Sequence, residues 1–162
     1  MTVYFTGLDL GQSADFSALA VAEQTGDKCY AIRHLQRWQL KTPYPQVASD
    51  VLKLFSKPPL SNSTLCIDAT GVGRGVVDYI KESKIDAIIV PITITGGHNA
   101  TKSGSEHHVP KKDLVATLQV LLGTKRLQIA PALHHASTLA RELSMFRVKI
   151  NANTSNESFE SW

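Results

Sequence analysis

The sequence predicts a mixed α/β fold: an antiparallel meander of three strands, then parallel strands, in one sheet flanked by helices. Three observations predict it. Residues 3–38 hold three short apolar runs joined by tight turns, the pattern of a meander. Beyond Pro43, runs with helical spacing alternate with short apolar runs, as in strand–helix units with a parallel component. Two of the predicted strands end in an aspartate followed by a glycine-containing turn.

Val3–Asp9 is the first strand, and the chain turns over Gly11 to Asp15. Phe16–Glu23 and Cys29–Trp38 are the second and third, with Thr25-Gly26-Asp27 as the hairpin signal between them. Thr42-Pro43-Tyr44-Pro45 breaks the strand pattern. Val47, Val51, Leu54 and Phe55 then fall on one helical face, and Pro58-Pro59 stops that helix. Thr64–Asp68 is a strand of the buried type. Gly71, Gly73 and Gly75 lead into a second helix with Val76, Val77 and Ile80 inward, and Ala87–Ile94 is a fifth strand. Residues 96–110 are polar, carry three histidines and have no periodicity, so they predict a long mobile loop. Leu114, Val115, Leu118, Leu121 and Leu122 mark a third helix, and Leu133, Ala136, Leu139, Ala140 and Leu143 a fourth that includes His134-His135. Arg147–Ile150 is a last strand before a polar tail. The order is βββ-α-β-α-β-α-α.

At 162 residues, with 43% hydrophobic and 19% charged side chains, the chain suits one soluble domain with a core. Cys29 and Cys66 lack metal-type spacing and read as buried thiols in a reducing compartment. The N-terminus has no basic segment and no long apolar run, so neither a signal peptide nor a membrane span is expected, and the cytoplasm is the default location. The formal net charge is +3, and residues 102–126 hold all of it, with five basic and two acidic side chains; residues 1–101 and 127–162 each balance to zero. Such a local excess suits phosphate contact or a solvated helix face. Lys111 and Lys112 stand at a helix start, where the helix dipole opposes them, and that cost favours a purpose such as DNA contact. With Lys102 and Arg74 they are the candidate DNA-binding residues.

Asp9 and Asp68 are the candidate catalytic residues. A carboxylate ending an apolar strand is costly unless it is paired or binds a cation. Either aspartate alone reads as a turn or helix cap. Their matched positions change that reading. If the first and fourth strands are parallel neighbours, about 4.8 Å apart, the two carboxylates converge and call for a hard divalent cation. Two ions roughly 3.5–4 Å apart can activate a water and steady the leaving oxygen of a phosphodiester.

Gly7-Leu8-Asp9-Leu10-Gly11, with Asp15 and Ala18, resembles the first strand of the nuclease domains of tailed-phage terminase large subunits. Cys66-Ile67-Asp68-Ala69-Thr70-Gly71-Val72-Gly73 resembles their second acidic strand. Pro91-Ile92 with Gly96-Gly97, then Val109-Pro110-Lys111-Lys112-Asp113-Leu114, resembles their loop and following helix. The resemblance covers nearly the whole chain. It implies an RNase H-like fold and Mg2+- or Mn2+-dependent cleavage of concatemeric double-stranded viral DNA during packaging, with Asp9 and Asp68 as metal ligands. It also implies an ATPase domain N-terminal to this region, a small subunit and a portal as partners, and a phage or prophage protein in a bacterial cytoplasm. The family's third metal-binding acid lies on a helix just past a segment similar to Ser158-Phe159-Glu160-Ser161-Trp162. On this reading residues 1–162 form a single nuclease domain lacking its C-terminal helix. Glu157 or Glu160 would then have to substitute, on a polar tail, and the expected activity is weak. Asp15 is a candidate neighbour of the metal site or a turn cap.

Gly71-Val72-Gly73-Arg74-Gly75 lacks the Gly-Lys-Ser/Thr of a phosphate-binding loop and reads as a tight strand–helix turn. His98, His107 and His108 match no zinc spacing. Two other functions compete. Leu8-Asp9-Leu10-Gly11 with Ser17 and Ala18 also resembles the phosphate loop of actin/hexokinase-type ATPases and sugar kinases, which need two such domains around a nucleotide. The other is a non-catalytic remnant that keeps the nuclease fold.

Overall fold

A computed structural model describes residues 2–11, 14–145, 147–151 and 156–160, the last two spans by backbone alone. Strands β1 (Val3–Asp9), β2 (Ala18–Gly26) and β3 (Cys29–Arg37) form the meander. They are followed by α1 (Tyr44–Phe55), β4 (Ser63–Asp68), α2 (Gly73–Glu82) and β5 (Ala87–Thr95). Then come β6 (Thr101–Ser103), β7 (Glu106–Pro110), α3 (Lys111–Gly123), β8 (Leu127–Ile129) and α4 (Ala136–Met145). A hairpin of β9 (Arg147–Asn151) and β10 (Asn156–Glu160) follows. The sheet has eight strands in the order β6-β7-β5-β4-β1-β2-β3-β8. β1–β2 and β2–β3 are antiparallel, while β1–β4, β4–β5 and β5–β7 are parallel. This is the expected mixed α/β sheet flanked by helices.

Alternation along the strands divides the two faces. In β1, Thr6 and Leu8 are buried while Gly7 and Asp9 reach solvent; in β4, Leu65 and Ile67 are buried while Cys66 and Asp68 are half-buried. The buried face packs against α1 and α2, whose Val47, Val51, Phe55, Val76, Val77 and Ile80 join Leu8, Leu65 and Ile67 in one core. Burying each large apolar side chain there contributes roughly 1.5–3 kcal/mol. Asp9 and Asp68, one residue beyond Leu8 and Ile67, therefore both face the side opposite that core.

Several expectations change. Residues 96–110 are not one loop: β6 and β7 form a hairpin across Gly104-Ser105, with Gly104 at a positive φ of 59° that this kind of turn requires. Their polar composition follows from their place at the sheet edge, where β6 is exposed throughout. β8 adds a further strand beside β3. His134 and His135 lie in the turn before α4 rather than on it, with His135 at φ 66°. Cys29 and Cys66 are free and half-buried. The third helix buries no residue completely; Leu114 and Leu122 are exposed. Residues 156–160 are a paired strand instead of a tail. Among the described residues no helix is long and apolar enough to cross a membrane.

Candidate active site

Parallel pairing of Leu8 with Ile67 sets Asp9 and Asp68 side by side at the strand ends. Asp9 also lies across from Ala18, and Asp68 across from Ile92. The chain leaves each strand through a turn that is fixed by packing. After β4, the Thr70 amide donates to Asp68 Oδ1 at 2.8 Å, and the Ile94 amide donates to Thr70 Oγ1 at 3.0 Å. Gly73 packs so tightly under this turn that a Cβ there would stand 1.9 Å from the Asp68 carbonyl oxygen. After β1, the Gly11 amide donates to Ser17 Oγ at 3.2 Å, and the Tyr44 hydroxyl donates to the Gly11 carbonyl at 3.1 Å. A Cβ on Gly11 would lie 2.3 Å from the Asp15 carbonyl oxygen. Glycine is thus required sterically in both turns.

The carboxylates feel one another. The Asp9 pKa is raised above its ordinary value, first by burial, then by the Asp68 charge and, more weakly, by Asp15, while the Leu10 amide acts the other way. Asp9 reaches solvent through the cleft mouth, yet the walls remove part of its hydration shell, so ionising it costs more than in water. Cys66 lies on the same face, one side-chain position back from Asp68, and burial pushes its thiol up, so it stays protonated. The oxygen donors facing each other are therefore carboxylates, a set that fits a hard divalent cation. Among the described residues, no group of three or more His, Cys, Asp or Glu side chains is arranged to hold a metal ion.

These groups open into a cleft of about 800 Å³, lined among others by Asp9, Asp15, Asp68, Cys66, Leu139 and Glu142. Its far wall is held by Arg37, which stacks 3.6 Å from the centre of the Phe16 ring and pairs with Glu142 of α4 at 3.6 Å. No local sequence pattern signals this wall, because it joins β3 to a helix distant in the chain.

The other candidates are spread more widely. Asp15 is exposed at the cleft and close enough to act on Asp9. Arg74 pairs with Glu106 at 3.4 Å. The Thr93 hydroxyl also donates to Glu106; this bond first holds the Glu106 carboxyl below its usual range, burial opposes it, and the charges of Arg74 and then His108 add to the lowering. Lys112 Nζ lies 3.0 Å from His98 Nδ1. Lys111 starts α3, and Lys102 lies on β6. Glu157 and Glu160 lie on β10, and their side chains fall outside the described residues.

No family model and no curated protein matches the sequence. Solved structures do share its fold. The large terminase nuclease from thermophilic phage G20c superposes with a TM-score of 0.68 at 16% identity, over 99% of this chain and 73% of that one. The same nuclease with bound zinc gives a TM-score of 0.61 at 20% identity, over 90% of this chain and 71% of that one. The large terminase of bacteriophage HK97 gives 0.63 at 14% identity, over 99% of this chain and 35% of that one. The chain therefore has the fold of large-terminase nuclease domains, and spans about a third of the HK97 protein's length.

Proposed function

We propose that the chain is a divalent-metal-dependent DNA nuclease domain of the terminase type, with Asp9 and Asp68 as the metal-binding, catalytic pair. The observation that carries this reading is the parallel register of Leu8 with Ile67, which brings two carboxylates together at the floor of an open cleft. A cation would relieve the repulsion that raises the Asp9 pKa. The chemistry supplied by Mg2+ or Mn2+ in such a site is activation of water and stabilisation of the leaving oxygen of a phosphodiester. The protein's own share is to hold the two acids in place through the Gly11 and Gly73 turns. It also admits a strand of DNA to an open groove.

Lys102, Lys111 and Lys112 are proposed as phosphate contacts, since residues 102–126 carry the whole net charge of the chain. Arg74 contributes less, because Glu106 already occupies it. Cutting of concatemeric viral DNA during packaging, in concert with an ATPase domain, a small subunit and a portal, is the setting the fold suggests. Asp15 is proposed as a neighbour that tunes Asp9, and Glu157 or Glu160 as a third carboxylate.

The test is nicking of supercoiled plasmid in Mn2+, Mg2+ and EDTA by the unaltered chain and by Asp9→Asn and Asp68→Asn. Metal-dependent nicking abolished by either substitution is expected. Nicking that survives both substitutions contradicts the assignment, and ATP hydrolysis without DNA cleavage would support the phosphotransferase alternative.

A further inference from the structure

The pairing pattern lines up more than the two acids. Asp68 is the lateral neighbour of Ile92, Ile92 of His107, and His107 of Lys102. Lateral neighbours in a sheet share a face. Ile92 and Ile94 line the cleft, so His107 and Lys102 lie on the cleft face, in the row that begins at Asp9 and Asp68. Thr93, His108, Glu106 and Ser103 occupy the alternate positions and face the other way. The contact of Glu106 with Thr93 and Arg74 belongs to that opposite face. Two adjacent histidines thus have different surroundings: His108 acts on Glu106, and half-buried His107 lies on the face that carries Asp68 and Ile92.

We infer that His107 and Lys102 form a phosphate-contacting extension of the cleft floor that guides one DNA strand across the sheet toward Asp9 and Asp68; this rests on the nuclease reading of those acids. Strand spacing sets the scale. His107 stands two strands from Asp68, about 10 Å, and Lys102 three, about 14 Å. Successive phosphates of one DNA strand are separated by at least the axial rise of ~3.4 Å, so the contacts fall on phosphates no more than about four nucleotides from the cut. His107 supplies an imidazole N–H donor and Lys102 a mobile ammonium at the exposed edge. Lys102 stood out by its charge alone and His107 not at all while residues 96–110 read as a loop, since a face exists only once β7 is paired.

The experiment measures binding of a 20-base-pair duplex by the full chain in EDTA across a salt series, with a thermal melt of each variant. Lys102→Ala should weaken binding several-fold and reduce the slope of log affinity against log salt by about 0.9, the share of one phosphate. His107→Ala should weaken binding about tenfold, and His107→Gln, which keeps an N–H donor, should restore most of it. Lys102→Ala combined with Ser103→Lys keeps the net charge but moves the cation to the opposite face, and should bind as weakly as Lys102→Ala alone. Binding restored by that transfer, or unchanged in Lys102→Ala and His107→Ala, overturns the inference. So does weakening in His107→Gln equal to that in His107→Ala. Variants that bind as expected, in a chain that nicks no plasmid in Mn2+, leave the phosphate row standing and remove the nuclease reading.

Discussion

Replacing Asp68 by Asn and by Ala separates its two roles. In the metal-free chain its charge repels that of Asp9 across one strand spacing, about 4.8 Å. Two unit charges at that distance interact by about 0.9 kcal/mol in bulk water and about 3.5 kcal/mol at an effective dielectric of 20. Both side chains reach solvent, so screening places the repulsion near the lower figure, about 1 kcal/mol. Asp68 Oδ1 also accepts the Thr70 amide, a bond worth about 1 kcal/mol. Asn removes the charge and keeps the acceptor, so Asp68→Asn should stabilise the metal-free fold by about 1 kcal/mol, near 3 °C in Tm. Ala loses both, and should leave stability close to that of the unaltered chain. Urea and thermal melts at pH 7 in EDTA and low salt measure both variants. Added Mn2+ at a hundredfold excess over its Kd should stabilise only the unaltered chain, by about 2.7 kcal/mol. Asn no more stable than the unaltered chain, with Ala less stable than both, would refute the argument and leave Asp68 as a cap alone.

Three further outcomes follow from the same geometry. Gly73→Ala forces a Cβ to within 1.9 Å of the Asp68 carbonyl oxygen, whereas a Cβ on Gly75 meets nothing within 4 Å. Gly73→Ala should cost a few kcal/mol and abolish nicking, while Gly75→Ala should gain up to about 1 kcal/mol, as checked by melts and plasmid assays. The Asp9 pKa is raised in the fold, so its contribution to metal-free stability is full below its ordinary value of 3.8 and is lost as pH rises through the raised one. The stability difference between the unaltered chain and Asp9→Asn should therefore change with pH only across that window, and a difference constant from pH 3 to 8 would contradict the shift. Neutralising Lys111 and Lys112 together should reduce the salt slope of DNA binding by up to about 1.8, and an unchanged slope would place the phosphate contacts elsewhere.

The legible parts of the fold were those where one face is deeply buried. β1, β2, β4 and β5 alternate or run apolar because α1 and α2 cover one side of them, and Asp9 and Asp68 stood out as charges ending two of those runs. The sheet edges were not legible. Thr101–Ser103 is exposed throughout and Glu106–Val109 is only half-buried, so no apolar pattern was required of them. Without β7 the register of His107 could not be seen, and the histidines read as loop residues. The Arg37–Glu142 wall depends on a contact distant in sequence, which local patterning does not carry. Of the site itself, the acids were readable from their strand ends. The steric need for Gly11 and Gly73 appeared only as glycine-containing turns, since a carbonyl approaching a Cα is a fact of the folded chain.

The central claim is that Asp9 and Asp68 share a divalent cation. Anomalous diffraction from crystals of the chain soaked in Mn2+ tests it directly. The account predicts a manganese peak between the two carboxylates, within about 2–2.5 Å of an oxygen of each, and no such peak in Asp68→Asn crystals soaked in the same way. A saturating soak that leaves the space between Asp9 and Asp68 empty, or that places manganese only elsewhere, such as beside His134 and His135, would contradict it.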